Sequence, residues 1–193
     1  EFRRVLFRSL PRVLLPLRKA FPKCELILEE GLTDSLLKKL DSGELDVVIA
    51  ADTFSFEKFV KYPLYFEKFL AAVPKGHRFE TKSKLSTREM DAKEMVLLED
   101  GHCLSDQVLE LCPKGKGVRR ESFQTTSLET LRHLVASGAG YTLIPELAVP
   151  TENNLKGLLS YIPFDGLVGR EIVVVTRKSF SRQKDLTALL ELF

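Results

Sequence analysis

The chain has 193 residues, a net charge of +2 from 29 Lys+Arg against 27 Asp+Glu, and 44% hydrophobic residues. This is long enough for one large domain or two small ones with a real core, and the composition excludes a disordered or fibrous chain. The near-neutral charge argues against a free-standing nucleic-acid-binding domain, no apolar run approaches the ~20 residues that span a bilayer, and three cysteines are too few for a secreted disulfide scaffold, so a cytoplasmic protein is expected.

Residues 1–9, EFRRVLFRS, lack the apolar core of a signal peptide and match no element pattern. With no initiator Met, and with Glu1-Phe2 being what a common cloning site encodes, they read as a cloning or sequencing scar on a fragment of a longer protein. From Leu10 to Phe21 an apolar face formed by Leu14, Leu15, Leu17 and Phe21 predicts a helix, kinked at Pro16. Cys24 to Leu28 reads as a strand, and Thr33 to Leu40 as a helix that stops at Gly43. Leu45 to Ala51 is an almost continuous apolar run, the mark of a strand buried on both faces. This β-α-β rhythm predicts a parallel sheet with a right-handed crossover.

Further on, Tyr62 to Val73 is apolar and ends at the turn signal Pro74-Lys75-Gly76-His77. Met95 to Leu98 is a strand candidate, Leu104 to Leu111 reads as a helix closed by Pro113, and Phe123 falls in a short strand. Thr126-Ser127-Leu128-Glu129 has the form of a capping box, opening a helix expected to bury Leu128, Leu131, Leu134 and Val135 and to end at Gly138. Tyr141 to Ile144 and Ile172 to Val175 are strands, and Leu186 to Phe193 a closing helix. The class is α/β.

The stretch 98–107, LEDGHCLSDQ, followed by Cys112, carries the most chemistry. The apolar face of the 104–111 helix is Leu104, Val108, Leu111 and Cys112, which makes Cys112 a buried hydrophobe. Cys103 falls at the other end, where a helix N-terminus favours a thiolate, with His102 beside it. Nine residues of helix set the two sulfurs on opposite sides and ~13 Å apart along the axis. A disulfide needs Cα atoms within ~7 Å, so the pair bonds only if the helix unwinds. The plainer reading is two unrelated structural cysteines. No CxxC, GxGxxG or Walker motif occurs, and His77, His102 and His133 have no metal-ligand spacing, so neither metal nor cofactor is expected. Thr33 reads as a helix cap, or as one side of a small polar ligand site; Cys24 reads as a bystander.

Those residues, together with TSLETLR at 126–132, SGAGYTLIPELAVP at 137–150, Thr33, LDSG at 40–43 and Leu45-Asp46, closely resemble the OxyR family of hydrogen peroxide-responsive, LysR-type transcriptional activators. The resemblance runs from about Leu10 to the end. It implies a regulatory domain of the type 2 periplasmic-binding-protein fold: two Rossmann-like subdomains joined by two crossover strands, 10–68 with 168–193, and 69–167 carrying the redox cysteines. DNA binding would belong to a winged helix-turn-helix in the full-length protein.

The resemblance also implies roles. Cys103 would react with peroxide to give a sulfenic acid, and Cys112 would resolve it to a disulfide. Thr33, His102 and Asp106 would line the peroxide pocket, and Arg170 would support the thiolate. The implied partners are hydrogen peroxide, a glutaredoxin- or thioredoxin-type reductant, other copies of the chain, and promoter DNA and RNA polymerase through the full-length protein. No enzymatic turnover and no membrane contact are implied. Two departures stand out: the family's Arg two positions after the reactive cysteine is Ser105 here, and Arg4 stands near the place of a peroxide-contacting Thr of the first strand. The alternatives are a LysR-type domain binding a small organic ligand, with bystander cysteines, and a thiol peroxidase using Cys103.

Overall fold

A computed structural model describes residues 15–22, 25–53, 55–98, 107, 110–112, 124–125, 127–150, 155 and 157–193. The chain divides into two compact units, 1–67 with 170–193, and 68–169. It leaves the first unit within one long strand and returns at the start of another, so each unit has its own core.

In the first unit, residues 15–20 are helical, and helix α1 (Thr33–Ser42) buries Leu36 and Leu40. It ends where Gly43 takes the left-handed conformation (φ 87°) and returns its N–H to the Leu40 carbonyl. Strand β1 (Val47–Ala51) follows; four of its five residues are buried. Its partner is strand β7 (Gly169–Arg177), antiparallel, with Ile49 opposite Val174. Arg177 closes the corner by donating to the carbonyls of Leu40 and Leu45 and pairing with Asp46. Helix α3 (Gln183–Leu190) buries Leu186 against the same core.

The predicted parallel β-α-β arrangement is not what the described residues form. Residues 25–30 carry no strand, Ile27 and Leu28 are exposed, and β1 pairs with β7 in the opposite sense. The run Ile172–Val175 is apolar on both faces, so it can satisfy β1 from a distant part of the chain. Local rhythm carries no information about that partner.

Strand β2 (Phe59–Pro74) is far longer than its apolar stretch suggests, because it runs from one unit into the other. In the second unit it stands between β5 (Thr142–Pro145) and β6 (Leu159–Pro163), antiparallel to both, with Ala71 opposite Leu143 and Ile162. Small Ala71 and Ala72, both fully buried, let layers pack closely there. Strands β3 (Leu97–Leu98) and β4 (Gln124–Thr125) form a short parallel pair against which helix α2 (Leu128–Ala136) packs.

The cap of α2 is displaced from the expected box. Ser127 is the N-cap and accepts from the Thr130 N–H at 3.4 Å, while Thr125 Oγ1 accepts from the Ser127 N–H at 3.1 Å. Glu129 pairs with Arg132 at 2.8 Å. The helix buries Leu128, Leu131, Arg132 and Val135, whereas Leu134 is only partly buried.

Gly140 joins α2 to β5 at φ +147°, and a Cβ there would fall inside the van der Waals shell of the Glu94 carbonyl oxygen. That carbonyl accepts from the Tyr141 N–H at 3.0 Å, so it cannot move away without losing a ladder bond. Gly140→Ala is expected to cost about 3 kcal/mol, from backbone strain plus the clash. Urea titration followed by circular dichroism should show it, with Gly138→Ala, which meets open space, as the milder control.

Candidate functional site: a buried thiol and a buried ion pair

Cys112 lies just after the helical residues 110 and 111, is 2% exposed, and is a free thiol. It belongs to the core of the second unit, together with Leu128, Leu131 and Tyr141. Tyr141 is fully buried and fixed by its hydroxyl, which accepts from the Asp91 N–H at 2.8 Å and donates to the Asp91 carbonyl at 3.2 Å. Burial pushes the Tyr141 hydroxyl pKa well up, and the nearby Cys112 adds to the shift. Phe79 packs edge-on against the Tyr141 ring at 5.4 Å, and His77 lies 5.5 Å from it. Partial burial lowers the His77 pKa, consistent with its Nδ1 accepting from the Phe79 N–H at 3.2 Å. Cys112 therefore sits in a packed apolar site.

The other predicted site residues are spread over the chain. Cys103, His102 and Asp106, like Cys24, lie outside the described residues; the described chain ends β3 at Leu98, immediately before them. Thr33 is buried, as the first residue of α1. It is not the cap it was expected to be: the N-cap position falls on Leu32, which makes no side-chain cap bond. A helix that starts one residue earlier in the turn leaves Thr33 inside, with helical backbone.

Arg170 opens β7 and donates from Nε to Glu67 Oε2 of β2 at 2.7 Å. Both side chains are almost wholly buried, at 9% and 2% exposure. Tyr65, two residues before Glu67 on β2, stacks on Phe193 at 6.2 Å and has a buried hydroxyl with no hydrogen-bond partner among the described residues. Burial raises the Tyr65 hydroxyl pKa strongly; the Glu67 carboxylate raises it further, and Arg170 works against both.

Reading the sequence missed two residues of this kind. Glu67 and Lys68 interrupt the apolar run 62–73, and since neighbours on a strand face opposite ways, one of the two charges must point inward and needs a counter-charge; that was the available signal. Arg132 lies four residues after Leu128 on the apolar face of α2 and is buried. It donates from Nε to the Tyr161 hydroxyl at 3.1 Å, and its guanidinium pairs with Glu129. Among the described residues no group of His, Cys, Asp and Glu could hold a metal ion, and no helix is long and apolar enough to cross a membrane.

Comparison with known proteins bears on the chain as a whole. The family model "LysR substrate binding domain" matches residues 5–193. A hydrogen peroxide-inducible genes activator of Haemophilus influenzae is 43% identical over 154 residues, 80% of this chain and 51% of that protein. The chain thus spans about half the length of the curated relatives it matches. Among solved structures, the reduced OxyR regulatory domain of Pseudomonas aeruginosa superposes with a TM-score of 0.85 at 32% identity, covering 97% of this chain and 91% of that one. An oxidised form of OxyR gives 0.77 at 36% identity, covering 96% and 87%.

Proposed function

The chain belongs to the OxyR branch of the LysR substrate-binding-domain family, and we propose that it is the redox-sensing regulatory domain of a hydrogen peroxide-responsive transcriptional activator. Its sensor is Cys103. The Cys103 thiolate attacks one peroxide oxygen, the O–O bond breaks, and the products are a Cys103 sulfenic acid and, after proton uptake, water. The Cys112 thiol then displaces the sulfenic hydroxyl as a second water, leaving a Cys103–Cys112 disulfide. Peroxide has taken two electrons from the two thiols. A glutaredoxin- or thioredoxin-type dithiol returns them and resets the domain.

The observation that carries this reading is the burial of Cys112. A thiol packed in a core cannot bond elsewhere without leaving it, so the covalent step is coupled to repacking of the second unit, which is what a switch requires. Thr33, His102 and Asp106 hold the peroxide. Arg170 supports the thiolate, with its charge partly offset by Glu67. Oxidation changes how the copies of the full-length protein assemble and engage promoter DNA and RNA polymerase in the cytoplasm. The domain does not turn over: one disulfide forms per peroxide consumed.

Mass spectrometry after one equivalent of hydrogen peroxide tests this. The expected product has lost two hydrogens and yields a peptide linking residues 103 and 112 within seconds. An unmodified Cys103 would sink the proposal in favour of a domain that binds an organic ligand. Many equivalents of peroxide consumed in the presence of thioredoxin would instead identify a thiol peroxidase.

A further inference from the structure

Tyr141 does more in the second unit than fill its core. Its hydroxyl accepts from the Asp91 N–H at 2.8 Å and donates to the Asp91 carbonyl at 3.2 Å. Its N–H donates to the Glu94 carbonyl at 3.0 Å, and its carbonyl accepts from the Val96 N–H at 2.8 Å. One residue thus ties down the segment 91–96, whose regular structure is a single 3-10 turn, Ala92–Glu94, capped by Asp91. That segment runs directly into β3, the last described strand before Cys103. Cys112, on the far side of Cys103 in the sequence, belongs to the same core as Tyr141. Tyr141 therefore meets the chain both before and after the stretch that carries the reactive cysteine.

We propose that Tyr141 is a positioning residue for the redox step: through its hydroxyl bonds to Asp91 it holds the core that retains Cys112, and so sets how readily this thiol becomes available to Cys103. The proposal deepens the redox reading and rests on it. Phe79 and His77 pack on the Tyr141 ring at 5.4 and 5.5 Å, so the ring is flanked as well as tethered. It cannot swing aside without taking its oxygen from a partly buried N–H and carbonyl, and unpairing such groups costs more than making the bond gains.

The tie acts on the reduced form. An intact helix keeps the two sulfurs ~13 Å apart along its axis, beyond disulfide reach, so Cys112 cannot keep its place in this core and be bonded to Cys103. An interaction present in one state and absent from the other shifts the balance between them by its own strength. The hydroxyl of Tyr141 therefore favours the dithiol and slows its conversion to the disulfide. Tyr141→Phe isolates this effect, because it removes the oxygen and keeps the ring, its apolar contacts and both backbone bonds.

Two measurements on Y141F test the proposal. In a chain with Cys24 and Cys103 replaced by Ser, iodoacetamide should label Cys112 about tenfold faster in Y141F than with Tyr141 present. Ile162→Val, a core trim on β6 whose ladder partner is Ala71, serves as the control for general loosening. Unchanged labelling in Y141F would overturn the proposal. So would an equal acceleration in I162V at the same loss of urea midpoint. The second measurement uses the chain with its native cysteines, equilibrated with reduced and oxidised glutathione. There two glutathione thiols reduce the Cys103–Cys112 disulfide to two thiols and leave as glutathione disulfide. The ratio of disulfide to dithiol should rise about fivefold or more in Y141F. A ratio equal to the parent's would show a structural role that weakens both forms alike, and would also overturn the proposal. Faster labelling of Cys112 together with a Cys103 inert to peroxide would support the hold on Cys112 and defeat the redox reading instead.

Discussion

Arg170→Met is expected to lower the stability of the first unit by about 3–5 kcal/mol, the usual loss when one partner of a buried ion pair is removed. The substitution nearly preserves volume and leaves the Glu67 carboxylate, 2% exposed, without the guanidinium at 2.7 Å. The cost is mostly the desolvated carboxylate, not the lost attraction. Replacing both partners, as Glu67→Leu with Arg170→Met, should recover most of the loss, because no charge is left buried. Urea denaturation of the single and double variants measures it. A double variant as weak as the single one would show that the pair is not what holds these strands.

A second large effect concerns the thiol. With Cys24 and Cys103 replaced by Ser, Cys112 should react with iodoacetamide at least ~100-fold more slowly in native buffer than in urea, because labelling must wait for an opening of ~2.7 kcal/mol or more. The reason is its position: 2% exposed, in one cluster with Leu128, Leu131 and a Tyr141 fixed by two hydrogen bonds to Asp91. The same barrier bears on the proposed switch. Sulfenic acid at Cys103 should accumulate before the disulfide forms and be trappable by dimedone, because resolution waits for Cys112 to leave the core. Equal labelling rates in buffer and urea would remove the coupling between oxidation and repacking.

Which features could be read in advance follows from how local their causes are. The end of α1 at Gly43 depends on one residue's freedom to take a positive φ, and the start of α2 on a cluster of hydroxyl residues; both were visible within one residue. The burial of Cys112 was legible from its spacing with Leu104, Val108 and Leu111, since a helix face is periodic. The cap of α2 was misplaced because Thr126 and Ser127 are chemically alike. Geometry chose Ser127 only once Thr125 was committed to β4. Arg132 was missed because charge normally marks an exposed position. Here a distant tyrosine, Tyr161 of β6, makes burial tolerable.

The sequence by itself determined the α/β class, the OxyR-type family and the positions of α1, β1, α2 and β5. All of these depend on residues within a turn or two of one another, or on a motif. The tertiary structure alone decided that β1 pairs antiparallel with β7 from the far end of the chain and that Glu67 and Arg170 form a buried ion pair between β2 and β7. β1 and β7, like Glu67 and Arg170, are separated by a hundred residues or more, and an isolated strand satisfies any complementary edge equally well. Only the packed core, in which every buried charge and backbone group must find a partner at once, selects among them.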